Sequence, residues 1–187
     1  NTFQGKLAEF GVYDAFKSFG FKNVESPDLE TWKLGKWDDT DLTIYDKKIN
    51  IKSTKHIGNL LLLETKDWNQ DGQYLPNIEL DGNGIYDYFI LTRIAPDGVS
   101  IMKKYRILFS NAIEKGESYL QNIIFNTEWS FDIAGFITRY DLINAIGNGQ
   151  ILPQNSTLNS FTKMDAENYY VQAGDMHNPT ILKSLIS

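Results

Sequence analysis

Residues 41–54, Asp-Leu-Thr-Ile-Tyr-Asp-Lys-Lys-Ile-Asn-Ile-Lys-Ser-Thr, contain two short apolar runs separated by polar residues. Leu42 and Ile44 form the first run, and Ile49 and Ile51 form the second. Apolar and polar residues alternate in both runs, which is typical of paired strands with one buried face, and the polar residues between them predict a tight turn. The segment therefore predicts a β-hairpin.

Three polar side chains are expected to meet in this hairpin. Asp41 stands at the start of the first strand, and Asn50 and Lys52 stand two residues apart on the second. Because side chains two apart project from the same face of a strand, Asn50 and Lys52 should share a face while Ile51 points into the core. The hairpin then places Asp41 near both.

The rest of the chain predicts one domain, residues 1–187, of the α/β class with a central mixed β-sheet flanked by helices. Apolar residues at helical spacing predict an amphipathic helix from residue 3 to about 19. Further strands are predicted over 59–65, 86–94, 104–109, 131–137 and 167–171, with an aromatic strand or irregular segment over 31–37. Helices are predicted over 139–146 and after a cap at Asp175, a weak helical pattern over 111–123, and polar loops over 67–84 and 148–164.

Composition and charge narrow the class of protein. The chain contains no cysteine, so disulfides, thiol catalysis and thiolate metal sites are excluded. Its formal net charge is −6. The acidic balance argues against bulk, non-specific binding of nucleic acid, which depends on many lysines and arginines. Basic residues nevertheless form two local clusters that suit a specific basic face. These are Lys47, Lys48, Lys52 and Lys55, and Lys103, Lys104 and Arg106.

Hydropathy gives no sign of a membrane protein. No apolar run approaches the roughly 20 residues that a membrane-spanning helix needs. No signal peptide is visible either, so we expect a cytoplasmic protein without a membrane partner.

The residue types of the hairpin suit the hydrolysis of phosphodiesters. That reaction needs a water made nucleophilic, neutralised charge on the phosphate and a stabilised leaving oxygen, all of which Mg²⁺ can supply. Mg²⁺ favours oxygen ligands and keeps several waters, so one or two protein carboxylates suffice to hold it. A nearby lysine can orient the water and stabilise negative charge. Asp41, position 50 and Lys52 therefore predict the centre of a metal-dependent phosphodiesterase.

The order of these residues resembles a nuclease signature. Asp41 followed by Asn50-Ile51-Lys52-Ser53-Thr54 is similar to the motif of the PD-(D/E)XK nuclease superfamily, as found in type II restriction endonucleases. In that motif an acid begins one strand and acid-any-lysine follows on the next. The resemblance implies a mixed sheet flanked by helices, Mg²⁺-dependent and sequence-specific cleavage of double-stranded DNA, and a homodimer on a palindromic site.

The resemblance also implies roles for individual residues. Asp41 and Asn50 would occupy the metal-ligand positions. Ile51, which lies between Asn50 and Lys52, would also belong to the metal site. Lys52 would be the catalytic lysine. Glu9, in the predicted first helix, matches the accessory acid that often precedes the motif.

Asn50 departs from the motif, because a neutral amide offers an oxygen but no charge. Three explanations are open. Asn50 is an inactivating replacement of Asp that traps uncut DNA, or another acid has taken over, or the protein is an inactive nuclease fold that only binds. Glu64 is the leading replacement acid, since Glu64-Thr65-Lys66 repeats the acid-any-lysine pattern at the end of an apolar run.

Several polar residues are candidates for DNA contacts. Amide side chains suit the edges of bases, and lysines suit phosphates. The amides are Asn69, Gln70 and Gln73, and the lysines are Lys47, Lys48 and Lys55.

Other interpretations of the same segments also stay open. Asp67–Gly72 matches the first half of a calcium loop, although Ile78 stands where the twelfth-position glutamate belongs. An aromatic-rich, calcium-dependent binding domain is therefore a rival of a different class, and a repair or junction-resolving nuclease is the closer alternative. In the plainest interpretation, Asp41 makes a turn and Lys52 protects an edge strand.

Overall fold

The computed structural model describes residues 2–27, 40–107, 116–158 and 162–186. The helices are α1 (Thr2–Ser18), α2 (Leu75–Asp81), α3 (Gly98–Lys104), α4 (Gly116–Phe125), α5 (Arg139–Gly147) and α6 (Leu182–Ile186). The strands are β1 (Leu42–Ile44), β2 (Lys47–Lys55), β3 (Leu60–Glu64), β4 (Tyr88–Ala95), β5 (Ser130–Thr138), β6 (Ile151–Leu152) and β7 (Asn168–Gln172). Short 3-10 turns lie at Thr65–Asp67, Ala173–Asp175 and Pro179–Ile181. None of the helices in these ranges is long and apolar enough to cross a membrane.

Four strands form a mixed sheet in the order β1-β2-β4-β5. β1 and β2 are the antiparallel hairpin predicted from residues 41–54, with Leu42 opposite Ile49. β2 runs parallel to β4, and β4 runs antiparallel to β5. The prediction of an α/β chain with a mixed sheet flanked by helices is confirmed at this level of detail.

Helix α1 covers one face of this sheet, as the apolar spacing of its residues predicts. Ala8, Val12 and Phe16 of α1 are buried with Ile49 and Ile51 of β2 in one hydrophobic cluster. Helical stability in proteins comes mainly from the packing of an apolar face, so this cluster fixes α1 against the hairpin.

A second sheet, in the order β3-β7-β6, lies over the other face. Leu61 and Leu63 of β3 and the following Trp68 pack with Phe89 and Leu91 of β4. The prediction of a single sheet is therefore wrong for β3. The reason is that β1 and β4 already occupy both edges of β2, so β3 pairs with β7 instead.

Two helices lie where the sequence predicts no helix. α2 falls inside the predicted loop 67–84, with Pro76 near its start and Gly82 ending it in the left-handed conformation at φ 76°. α3 is capped by Asp97, whose side chain accepts the backbone N–H of Ser100. The strand predicted over 104–109 is wrong at its start, because residue 104 ends α3. Residues 108 and 109, like segment 31–37, lie outside the described residues.

The C-terminal helical segment begins with a different cap from the predicted one. Asn178 accepts the backbone N–H of Thr180 over 3.0 Å, and Pro179 follows as the first residue of the turn. Asp175 instead belongs to the separate turn Ala173–Asp175. An Asn followed directly by Pro combines a side-chain acceptor with a preset φ, which favours this start over Asp175.

Candidate active site

The hairpin holds Asp41 against the middle of β2. The Oδ2 atom of Asp41 accepts a hydrogen bond of 2.6 Å from the backbone N–H of Ile51. Leu42 pairs with Ile49, so continuing the antiparallel register by one residue places Asp41 beside Asn50. Hydrogen bonds to charged acceptors are the stronger ones, and this bond therefore orients the carboxylate firmly.

Asn50 and Lys52 project from the face of β2 opposite to α1. The alternate residues Ile49 and Ile51 are buried in the cluster with α1, so Asn50 and Lys52 face the second sheet. Asn50 is only 5% exposed, whereas Lys52 is half-buried. This is the alternation expected from the sequence. It also means that Ile51 can reach a ligand through its backbone alone.

The Asn50 side chain contains an unsatisfied acceptor. Its Oδ1 atom is buried and has no hydrogen-bond partner. The amide interacts with the hydroxyl of Tyr86: burial raises the pKa of Tyr86, the charge of Asp41 adds to the rise, and the amides of Asn77 and Asn50 oppose it. A buried acceptor left unsatisfied costs about 1–3 kcal/mol. It is therefore an atom at which a cation or a water would be stabilised.

Glu64 ends β3 and pairs with the lysine two residues later. Its Oε2 atom lies 2.7 Å from Nζ of Lys66, and the Glu64 side chain is 41% exposed. The contact is an ion pair, and the hydrogen bond and charge of Glu64 raise the pKa of Lys66. The acid and the lysine of the second acid-any-lysine pattern, Glu64 and Lys66, thus contact each other in this structure.

Asp67 lies at the end of the turn after β3 and interacts with β2. The pKa of the Asp67 carboxyl is raised overall, and burial is the largest cause. The positive charges of Lys66 and Lys52 lower the pKa, and the negative charge of Glu64 raises it. Trp68, the residue after this turn, packs on Phe89, which is the register partner of Asn50 on the neighbouring strand. The turn is therefore on the side of the main sheet to which Asn50 projects.

Tyr74 is the common neighbour of the acidic residues. Burial raises the pKa of its hydroxyl, and the charges of Asp67, Asp41 and Glu64 add to that rise. Its ring lies 5.0 Å from that of the buried Trp68, and the partly buried tyrosine packs against the second hydrophobic cluster. Charges from the hairpin, from β3 and from the following turn thus all act on the pKa of one hydroxyl.

The oxygen atoms of this site fit Mg²⁺ in kind. Within the described ranges, no three His, Asp or Glu side chains are close enough to share one metal ion. Mg²⁺ needs only one or two protein carboxylates, however, and takes its other oxygens from water and phosphate. The Asp41 carboxylate and the unsatisfied Oδ1 of Asn50 are hard oxygen donors of that type, with Glu64 as a further candidate.

Glu9 does not lie on this face of the sheet. It is buried on α1, which packs on the Ile49 and Ile51 side of β2, and its Oε2 atom lies 2.8 Å from Nζ of Lys6. Its assignment as an accessory acid stays a prediction.

The lysines predicted to contact DNA lie in different environments. Nζ of Lys47 is 3.6 Å from carboxylate oxygens of both Asp46 and Asp87, so its charge is shared. The backbone N–H of Lys48 also donates to Asp87, over 3.0 Å. Lys55 is exposed at the end of β2. All three stay predictions as phosphate contacts.

The loop after Asp67 is organised by Asn69. Its Oδ1 atom accepts the backbone N–H groups of Asp71 and Gln73, each over 3.0 Å, and its Nδ2 donates to Gln73 Oε1. The side-chain oxygen that a calcium loop would direct at the ion is thus used within the loop, and the calcium interpretation gains no support. Gln70 is exposed, as a base-reading residue requires.

Three residues of this cluster are absent from the sequence-based site. Asp67, Tyr74 and Tyr86 approach the hairpin only because the second sheet lies over β2. A weak signal exists for Asp67, which follows Glu64 by three residues at the end of an apolar run. The two tyrosines give no such signal, because the effect of the Asp41 charge on the pKa of their hydroxyls depends on tertiary structure.

Comparison with known proteins gives no assignment: no family model, no curated protein and no solved structure matches the chain. The functional argument therefore rests on the residues of the site.

Proposed function

We propose that this protein is a Mg²⁺-dependent endonuclease that hydrolyses phosphodiester bonds of double-stranded DNA at specific sequences, in the manner of a type II restriction enzyme. One observation carries the proposal. The hydrogen bond from Ile51 to Asp41 brings an acid from one strand beside Asn50, with Lys52 projecting from the same face. This arrangement agrees with the motif at Asp41 and Lys52 and departs from it at Asn50, and that agreement supports the proposal.

Each residue has a role that follows from its position. Asp41 supplies the negative charge of the ligand set, and Asn50 supplies a neutral oxygen. Mg²⁺ bound there would activate water and neutralise charge on the scissile phosphate. Lys52 places an ammonium group on the same face, where it stabilises the charge that develops on the phosphate and orients the attacking water. The neutral ligand predicts weaker metal binding than two acids would give.

Specific recognition of duplex DNA suits a homodimer. A duplex needs two cuts, and a two-fold symmetric pair of identical subunits places one site on each strand of a palindrome. Lys55 and Gln70 are exposed, and they are the candidates for contacts with phosphates and with base edges.

A nuclease fold that binds DNA without cutting it is the second candidate. The observation that favours it is the neutral Asn50, together with the lack of a three-acid metal cluster in the part of the chain that the structure describes. A protein of this second kind would bind DNA but would not hydrolyse it.

Plasmid cleavage in Mg²⁺ tests the proposal. The chain as it stands, Asn50→Asp and Lys52→Ala are compared, with exposed Lys22→Ala as the control for loss of a lysine. Discrete fragments that appear or increase in Asn50→Asp and disappear in Lys52→Ala, but not in Lys22→Ala, support the nuclease. DNA binding without cleavage by either form with an intact Lys52 would support the binding module instead.

A further inference from the structure

We propose that a cavity at the ends of β2 and β4 binds a free aliphatic carboxylate, that is, a small molecule with a hydrocarbon body and one anionic head group. The cavity has a volume of about 630 Å³. Sites for small molecules typically occupy about 300–1,000 Å³ and have mostly apolar walls with a few polar groups. This binding site would be additional to the proposed function and does not depend on it.

The cavity lies on the face of the main sheet that carries α1. Ser53 and Lys55 of β2 line it, and they continue the alternation of Ile51, which packs against α1. Asn50 and Lys52 project from the opposite face, so the cavity is separate from the candidate active site. β2 and β4 run parallel and both end beside the cavity, which is where open α/β sheets commonly bind ligands.

The side of the cavity that α3, α4 and Trp129 form is apolar. The rings of Phe3 and Trp129 lie there with their centroids 5.6 Å apart. The indole N–H of Trp129 donates to the carbonyl oxygen of Ile124 over 3.2 Å, so its only polar group is already used. A ligand body without hydrogen-bonding groups therefore suits these walls. The remaining apolar lining residues are Val99, Ile101, Met102, Ile107, Leu120, Ile123 and Ile124.

Contacts between the surrounding elements hold the walls in place. Oε1 of Gln4 on α1 accepts the backbone N–H of Gly98 at the start of α3, over 3.4 Å. Ile101 and Ile123 are buried, whereas Val99 is 42% exposed, so Val99 lies towards the opening of the cavity. A hydrocarbon chain seated there would remove exposed apolar surface from water, which favours binding in proportion to the area that is covered.

Charge complementarity favours an anionic head group. Lys55 is exposed, and it is the positively charged residue among the described residues that line the cavity. The lining also contains Asp97, but both of its carboxylate oxygens are used by Ser100. Oδ1 accepts the backbone N–H of Ser100 over 3.1 Å, and Oδ2 accepts its hydroxyl over 2.6 Å. The ammonium group of Lys55 is therefore the group that a ligand carboxylate would meet, in a charge-assisted hydrogen bond.

Isothermal titration calorimetry with octanoate, in the absence of DNA, tests the proposal. Butanoate is four methylenes shorter and should bind at least about tenfold more weakly, because it covers less apolar surface. Lys55→Gln should weaken octanoate binding about twofold to fivefold, the effect of losing an ion pair at the surface, and should leave the binding of uncharged 1-octanol unchanged. The control is Lys103→Gln, which is exposed on α3 outside the cavity lining and should change neither affinity.

Val99→Trp tests the place of binding. The larger ring should fill the opening, so octanoate affinity should fall at least about tenfold because the chain can no longer be buried. Leu80→Trp makes a similar change at an exposed position on α2 and should bind octanoate as the unchanged chain does. Thermal unfolding checks that each variant folds, and Val99→Phe replaces Val99→Trp if that variant does not.

The outcomes either support or overturn the proposal. Octanoate binding that depends on chain length, on Lys55 and on the size of residue 99 supports it. A failure of octanoate to bind, or equal binding by Val99→Trp, overturns the cavity as the site. Octanoate binding that is unchanged in Lys55→Gln overturns the carboxylate as the recognised head group. DNA cleavage is not measured here, so none of these results decides the proposed function.

Discussion

The backbone N–H of Ile51 donates to the carboxylate of Asp41 over 2.6 Å, and this contact joins the two strands of the hairpin where the candidate ligands meet. The donor belongs to the backbone of β2, so the orientation of Asp41 follows from the fold of the hairpin. Asp41 therefore has two separable properties, namely a hydrogen-bond acceptor that positions the strand and a negative charge that a metal needs.

Substitutions at Asp41 should separate stability from activity. Asp41→Ala removes the acceptor from a partly buried N–H group and should lower the free energy of unfolding by about 1.5–3 kcal/mol, the range for hydrogen bonds to charged groups. Asp41→Asn keeps an acceptor and should lose less stability, yet it should lose metal-dependent cleavage as completely as Asp41→Ala. Urea unfolding and plasmid cleavage measure the two effects. Cleavage by Asp41→Asn at the unchanged rate would leave Asp41 with a structural role alone.

Substitutions at Asn50 should make stability depend on Mg²⁺. Asn50→Asp adds a charge at a position that is 5% exposed, so it should unfold at a lower temperature in the absence of metal. Mg²⁺ binds the folded form and should raise that temperature, because a ligand that binds only the folded state stabilises it by mass action. The unchanged chain should respond less, since its amide carries no charge.

The control at the same position is Asn50→Leu. It removes the unsatisfied Oδ1 at a similar volume, which should stabilise the fold, but it also removes the amide that interacts with the Tyr86 hydroxyl, so its stability should stay within about 1–3 kcal/mol of the unchanged chain. Its unfolding temperature should not respond to Mg²⁺. Equal responses of Asn50→Asp and Asn50→Leu, measured at matched ionic strength, would show that position 50 is not at a metal site.

The hairpin was predictable because its pattern is local. Alternating Leu42, Ile44, Ile49 and Ile51 define a buried face, and the side-chain period of two then fixes the opposite face for Asn50. The place of β3 was not predictable in this way. Its apolar run matches a strand of either sheet, and its place in the second sheet depends on its pairing with β7, about a hundred residues later in the chain.

Only the part of the candidate site that lies within the hairpin was predictable from the sequence. Asp41 and Lys52 are recognisable from spacing along a hairpin. Tyr74 and Tyr86 interact with Asp41 through packing between the layers, where Trp68 contacts both rings at 5.0 Å and 6.0 Å. Sequence distance carries no information about contacts of that kind, which depend on how the second sheet closes over the first.

Gly84 should tolerate no side chain, because its backbone lies against that of Tyr74. A Cβ atom at this position would overlap the Tyr74 carbonyl oxygen and lie 2.7 Å from Cγ1 of Ile78. The backbone N–H of Tyr74 also donates to Gly84 over 2.7 Å, so neither chain can move away without loss. Gly84→Ala should therefore destabilise by about 1–3 kcal/mol, as overpacking does, and should weaken metal binding by displacing Tyr74.

Gly147→Ala is the matched control. No heavy atom lies within 4 Å of a Cβ at Gly147, which ends α5. Alanine favours a helix over glycine by up to about 1 kcal/mol, so this variant should be neutral or slightly stabilised. Urea unfolding of both variants measures the difference, and a Gly84→Ala protein as stable as Gly147→Ala would contradict the close packing described for Tyr74.

Asp141, which lies outside the hairpin, should make the stability of the fold depend on pH. Its Oδ2 atom accepts the backbone N–H and the hydroxyl of Thr138 in a capping box at the start of α5, and it lies 2.9 Å from Nε2 of His177. Burial raises the pKa of Asp141, but the hydrogen bonds from Thr138 and the contact with His177 outweigh it, so the pKa is lowered overall.

The sign of the pH effect follows from this lowered pKa. A carboxyl with a lower pKa in the folded than in the unfolded state stabilises fully above its unfolded pKa, about 3.9, and loses that effect as pH falls through its folded pKa. We therefore expect Asp141→Asn to be less stable than the unchanged chain at pH 5, with a difference that shrinks by pH 2. Exposed Asp165→Asn is the control and should show no such change. Urea unfolding at both pH values measures it, and a difference that is the same at pH 5 and pH 2 would mean that the charge of Asp141 does not contribute to folding.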